Sequence, residues 1–188
     1  MTIKEETEVI AATGLSVSLP NMAAKRHFRA APLTPLFREI NLRASAGQCL
    51  GIVGESGSGT TTLGRTLVRL LSPTPGTLLF QGRGITSLSA PELRPIRDRM
   101  QIICQEPREA LNPRRRVDDA VSQPLLAYGK VLNSREAREH AADLLHQVGL
   151  DPILGRRYPR ELSGGQLQRV CIARAISVRP SLIVACLL

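Results

Sequence analysis

Cys49-Leu50-Gly51-Ile52-Val53-Gly54-Glu55-Ser56-Gly57-Ser58-Gly59-Thr60-Thr61-Thr62 is the stretch on which the reading of the fold turns. Its first five residues form a continuous apolar run of the kind that suits a buried parallel strand. A glycine loop follows at once, and then Leu63, Leu67, Leu70 and Leu71 recur at helical spacing. Strand, glycine loop and helix in series leave main-chain N–H groups free to face an anion, and the start of the helix adds favourable electrostatics. Gly54 to Thr61 follows the phosphate-loop template of a glycine, four residues, a second glycine, then Lys and Ser or Thr, with Thr60 in the Lys position. The nucleotide-binding candidates are therefore Gly54, Glu55, Ser56, Gly57, Ser58, Gly59, Thr60, Thr61 and Thr62, with the Thr61 hydroxyl a candidate ligand for Mg²⁺.

Working outward, Leu15 to Leu19 and Phe37 to Leu42 alternate like strands, and residues 1–12 read as a loose lead-in. Pro20 to Pro35 reads as a loop, Pro73, Pro75 and Gly76 as the end of the helix, and Thr77 to Phe80 and Met100 to Cys104 as further strands. Between about Gln105 and Leu162 the chain becomes helical and rich in arginine. There Asn133 is an N-cap with Glu136 three residues on, Ala137, Ala141, Leu144, Leu145 and Val148 share a face, and Gly149 is the stop. Ser163-Gly164-Gly165 opens another helix to about Ile176, and Leu182 onward reads as a buried strand. No internal repeat is present.

The 188 residues, 43% of them hydrophobic, suffice for one compact unit with a core. An aromatic content of 3% without Trp disfavours stacking platforms for single-stranded nucleic acid. Twenty-five basic against 16 acidic side chains give +9, a balance that draws a protein to phosphate-rich partners or to an anionic membrane surface. Cys49, Cys104, Cys171 and Cys186 lack the paired spacing of a zinc site, and their apolar surroundings point to buried, reduced thiols. His27, His140 and His146 form no metal pattern. No signal peptide is visible at the N-terminus, and the longest apolar run, Leu182 to Leu188, is too short to span a bilayer, so any membrane role is expected to be peripheral.

A second motif names a family. Leu162-Ser163-Gly164-Gly165-Gln166, continued by Gln168-Arg169-Val170 and Ala173-Arg174-Ala175, resembles the signature of ABC-type ATPases. A given five-residue match arises by chance at about one position in 10⁶. Gln105-Glu106-Pro107 and Leu111-Asn112-Pro113-Arg114 look like the Q-loop region of the branch that energises importers of oligopeptides, dipeptides or nickel. The resemblance spans about residues 36–184 and implies an α/β fold, a P-loop NTPase (ABC ATPase) core with a helical subdomain insert, incomplete at the C-terminus. Its implied organisation is an N-terminal strand and variable loop over 1–35, a nucleotide-binding core over 36–105, a helical subdomain over 106–162, and the signature helix with a truncated Walker B strand over 163–188.

The implied function is the ATP-binding subunit of a bacterial peptide-type importer, peripheral on the cytoplasmic face of the inner membrane. ATP and Mg²⁺ are the implied cofactors, with Gln105 as the Q-loop residue and, beside Thr61, a metal contact. Partners would be a second ABC ATPase subunit in a head-to-tail pair, membrane permease subunits and, indirectly, a periplasmic solute-binding protein, but no nucleic acid. Arg114 to Arg116, Arg156, Arg157 and Arg160 are either solvated faces or contacts for permease loops or lipid headgroups.

Three departures bear on chemistry. Thr60 supplies no charge to the phosphates, no lysine lies between Lys25 and Lys130, and Arg65 is more than one helical turn past Thr60. After Leu182-Ile183-Val184-Ala185 the family places Asp-Glu-Pro, whereas here Cys186 and Leu187 stand in the acidic positions. Leu19 falls near the place where the family often stacks an aromatic on adenine. No intact catalytic residue is therefore expected, and weakened nucleotide binding is. The alternative expectation is a non-catalytic, degenerate or truncated ABC ATPase remnant acting at most as an interaction module. A DNA-repair type ATPase shares the signature but usually interposes coiled coils or zinc modules that are missing here.

Overall fold

The computed structural model describes residues 7–20, 33–73 and 75–186, and the chain divides into two compact units, 1–93 and 94–188. In the first unit, strands β1 (Glu8–Pro20) and β2 (Leu33–Ser45) form a long antiparallel pair. Helix α1 (Thr60–Leu67) follows, then β3 (Thr77–Phe80), β4 (Arg83–Gly84) and the single turn α2 (Ala90–Leu93). The sheet runs β2-β1-β3-β4, antiparallel throughout. Val9 to Ala12, Leu15, Val17, Leu63, Leu67, Leu78, Phe80 and Ile85 are buried. The loose lead-in expected over 1–12 is thus corrected from Glu8 onward. Register shifts in β1 between Ala12 and Leu15 and between Leu15 and Val17 break the two-residue alternation, so a pattern search sees only its second half.

Two expectations about the central stretch fail. Residues 49–53 carry no regular secondary structure and belong to no ladder among the described residues, and Leu50, Ile52 and Val53 are exposed, Val53 by 98%. An apolar run announces a wish for burial; a strand exists only when another strand satisfies its main-chain groups. Helix α1 also stops earlier than the leucine spacing suggests, leaving Leu70 exposed. Arg69 ends it with φ 55, and its buried guanidinium donates to the carbonyls of Ile85 (2.8 Å) and Leu88 (2.9 Å).

The second unit begins with a 3₁₀ turn, Arg94–Arg99, leading into β5 (Met100–Ile103). Helices α3 (Pro107–Ala110), α4 (Val117–Ala127) and α5 (Ser134–Gln147) come next, then 3₁₀ turns at Pro152–Arg156 and Pro159–Glu161, helix α6 (Gly164–Ile176) and β6 (Leu182–Ala185). β6 pairs with β5 in parallel, so the helices are the crossover that parallel strands require. The core joins Val117, Ala120 and Val121 of α4, Ala141 and Leu145 of α5, and Leu167, Val170 and Cys171 of α6. β6 alternates between half-buried and exposed residues, which corrects the buried strand expected there.

Helix α5 follows its sequence closely. The Asn133 side chain accepts from the N–H groups of Arg135 and Glu136, each at 3.0 Å, and Ala137, Ala141 and Leu145 are fully buried. Asn133→Ala is expected to cost about 0.5–2 kcal/mol, read as a lower urea midpoint with unchanged slope. The four cysteines are all outside disulfides, but only Cys171 is buried; Cys104 and Cys186 are intermediate and Cys49 is exposed, which corrects the expectation of four buried thiols. No helix among the described residues is long and apolar enough to cross a membrane. His27, Lys25 and Leu187 lie outside the described residues, as does the side chain of Leu19.

Candidate functional site

Two clusters of main-chain donors, one in each unit, are the candidate functional features. In the first unit the loop from Gly54 to Gly59 turns tightly, with Ser58 N–H donating to the Glu55 carbonyl at 3.0 Å. Gly57 (φ 84) and Gly59 (φ 95) lie in the left-handed region, where a side chain is strained. Gly59 is doubly constrained, because a Cβ there would come within 2.9 Å of Leu36 Cγ. It is also the N-cap of α1 and brings no side-chain oxygen to the helix start.

The consequence is a set of open donors. Leu63 N–H is the first in α1 to find a carbonyl, that of Gly59 at 2.8 Å. The N–H groups of Gly57, Gly59, Thr60, Thr61 and Thr62 have no hydrogen-bond partner among the described residues. Residues 54–58 and Thr60 are exposed, and Thr61 and Thr62 half-buried. A chain of unpaired amides at a helix start binds anions, and phosphate oxygens fit such a concavity. The main chain of this loop therefore presents the kind of donor set that phosphate oxygens accept from. Thr61 would offer its hydroxyl to a Mg²⁺ ion; Thr60 brings no positive charge, and Arg65 sits exposed on the last turn of α1.

In the second unit the signature segment opens α6 through a reciprocal cap. Gln166 N–H donates to Ser163 Oγ at 3.3 Å, while Ser163 N–H donates to Gln166 Oε1 at 2.9 Å. This cap occupies two of the donors and leaves those of Gly164 and Gly165 open. Both glycines are exposed, and a Cβ at either would meet nothing within 4 Å. Leu162 and Leu167 are buried on either side and fix the helix start to the core. The turn before it is held by Tyr158 N–H donating to Glu161 Oε2 at 2.6 Å. That bond, helped by Arg157, keeps the Glu161 carboxyl below the usual carboxylate range despite some desolvation. Because its pKa is depressed on folding, its contribution is present above the ordinary carboxylate pKa and is lost as pH falls through the folded value.

Gln105 is exposed just beyond β5, and Glu106 is the N-cap of α3. Cys186 N–H donates to the Ile103 carbonyl at 2.9 Å, which places this thiol at the end of β6 where the resemblance calls for a metal-orienting carboxylate. A neutral thiol is a poor ligand for a hard cation such as Mg²⁺, which takes oxygen donors. Among the described residues no group of three His, Cys, Asp or Glu side chains is arranged to hold a metal ion.

The arginines divide into roles. Arg116 pairs with Asp118 at 2.6 Å, Arg157 with Glu161 at 3.3 Å, and Arg160 lies over the Tyr158 ring at 5.6 Å. Arg114 and Arg115 are solvated. A cleft of about 870 Å³ gathers Arg116, Arg135, Arg138 and Arg156 with Asp118 and Glu139. Arg135 and Arg138 escaped the sequence reading; their spacing of three along α5, which puts both on one face, was the available clue.

Residues 37–185 match the ABC transporter family. The chain belongs to that family. Among its relatives, a probable peptide ABC transporter ATP-binding protein of Sinorhizobium fredii is 43% identical over 154 residues, 82% of this chain and 43% of that protein. The oligopeptide transport ATP-binding protein AppF of Bacillus subtilis is 43% identical over 147 residues, 78% of this chain and 44% of the relative. The chain thus spans less than half the length of these relatives. A dimeric ATP-binding cassette solved in a post-hydrolysis state with ADP and Pi superimposes with a TM-score of 0.81 at 26% identity, covering 94% of this chain and 72% of the other. The fold is accordingly the α/β, P-loop NTPase core of an ABC ATPase.

Proposed function

We propose that this ABC family chain is the nucleotide-gripping part of the ATP-binding subunit of a bacterial peptide-type importer, working at the cytoplasmic face of the inner membrane. It works with a second ABC ATPase subunit and with permease subunits, to which a periplasmic solute-binding protein delivers the solute. The observation that carries the reading is the start of α6, where the Ser163 and Gln166 cap leaves the Gly164 and Gly165 donors open and unobstructed. Support comes from the peptide and oligopeptide transport relatives and from the dimeric cassette bound to ADP and Pi.

Hydrolysis by this chain's own phosphate loop is strongly impaired. Thr60 leaves the β- and γ-phosphates without a lysine, and Cys186 and Leu187 replace the acids that orient metal and water. Its signature instead serves the nucleotide held by a partner subunit. ATP turnover by the purified chain is expected to sit at background. Mixing with an intact peptide-importer ATP-binding subunit is expected to raise turnover per intact subunit, and Ser163→Arg in this chain to abolish the rise. Turnover by the chain alone at the level of an intact relative, or a mixture unaffected by Ser163→Arg, overturns the proposal.

A further inference from the structure

The parallel register that pairs Met100 with Leu182, Gln101 with Ile183, Ile102 with Val184 and Ile103 with Ala185 does not end with the strands. Cys186 N–H continues the ladder to the Ile103 carbonyl at 2.9 Å. One further step of the same register, past the last paired residues Ile103 and Ala185, would set Cys104 opposite Cys186. Neighbouring strands lie about 4.7–4.9 Å apart, and partners in register project from the same face. A disulfide needs a Cα separation of about 4.4–6.8 Å, a window that contains the ordinary spacing of neighbouring strands. Both residues are of intermediate exposure and hence within reach of a small oxidant.

We propose that Cys104 and Cys186 form a reversible disulfide across the C-terminal ends of β5 and β6, a modification site of this chain. The step is thiol–disulfide exchange with a low-molecular-weight disulfide. The thiolate of one cysteine attacks a sulfur of the oxidant, releasing one small thiol. The second cysteine then displaces the other half, and the protons of the two cysteines end on the two released thiols. The cysteine pair is oxidised by two electrons and the oxidant is reduced by two.

The other two thiols do not compete. Cys171 is buried, its sulfur lies 3.9 Å from the Pro107 carbonyl oxygen, and burial pushes its thiol up, which suppresses the reactive thiolate. Cys49 belongs to the other unit and has no cysteine opposite it in a ladder. The bond would tie the strand end immediately before Gln105, so oxidation would restrict the segment that carries the Q-loop residue.

The test uses the whole chain, folded, dilute and exposed to glutathione disulfide, followed by alkylation, trypsin and mass spectrometry. Peptide 100–108, which holds Cys104, is expected to be joined to peptide 175–188, which holds Cys186. That link should exceed every other pairing by about tenfold or more, because register gives the two thiols a high effective concentration. It should vanish on treatment with dithiothreitol and lose its preference when oxidation is carried out in guanidinium. Both peptides alkylated and unlinked, stable glutathione adducts instead of the link, or the same mixture of pairings in folded and unfolded chain would each overturn the proposal. Because the mapping is done on the unsubstituted chain, no variant need fold.

Discussion

Thr60→Lys is expected to tighten the binding of MgATP by about 10–100-fold. Thr60 is the first residue of α1, exposed, with its N–H among the open donors of the loop. A hydrogen bond to a charged group contributes about 1.5–3 kcal/mol, and each 1.4 kcal/mol is a factor of about ten in affinity. In the proposed site the main-chain amides form the cradle, and the lysine adds charge to it without new backbone geometry. Titration calorimetry on the two proteins at equal ionic strength reads the difference, and the gain should shrink as salt is raised. Hydrolysis should stay near background in the same variant, because Cys186 and Leu187 still occupy the acidic positions. Equal affinity in the two proteins would mean that the loop is a tight turn and not a phosphate site.

Leu145→Ala is expected to remove about 2–5 kcal/mol of stability from the second unit. Its side chain is fully buried in the core that joins α4, α5 and α6, and a Cβ placed on Gly155 would lie 3.4 Å from its Cδ1. Truncation there leaves a void in this core, on the helix assembly that carries Ser163. The matched control is Val53→Ser, at a position 98% exposed, which should change stability by less than about 0.5 kcal/mol. Urea unfolding followed by circular dichroism measures both. A small effect for Leu145 together with a large one for Val53 would reverse the assignment of core and surface.

The contrast between these residues also shows what the sequence could disclose. Helix α5 was legible because all its determinants are local: the Asn133 cap, Glu136, and the Ala137, Ala141 and Leu145 face. The start of α6 was legible for the same reason, since Ser163-Gly164-Gly165 is a local helix-opening signal. Cys49 to Val53 misled because apolarity is local but pairing is not, and no described strand satisfies the run. Just past the early end of α1, Arg69 reaches carbonyls 16 and 19 residues away, an anchor that no periodicity encodes. The proposed Cys104 and Cys186 pairing likewise follows only from continuing the β5–β6 register. In the site, the phosphate loop and signature could be read as motifs, whereas the cap that decides which α6 donors stay open required atomic positions.

In the proposed function the main-chain amides of the loop before α1 bind the phosphates of a nucleotide. The most direct measurement is a titration of the ¹⁵N-labelled chain with MgATP, followed through its amide resonances. The account predicts that the signals of Gly57, Gly59, Thr60, Thr61 and Thr62 move together and saturate, while those of residues in the β1–β2 pair remote from the loop hold still. Saturating changes that bypass these five amides, or an unaltered spectrum at millimolar nucleotide, would contradict it.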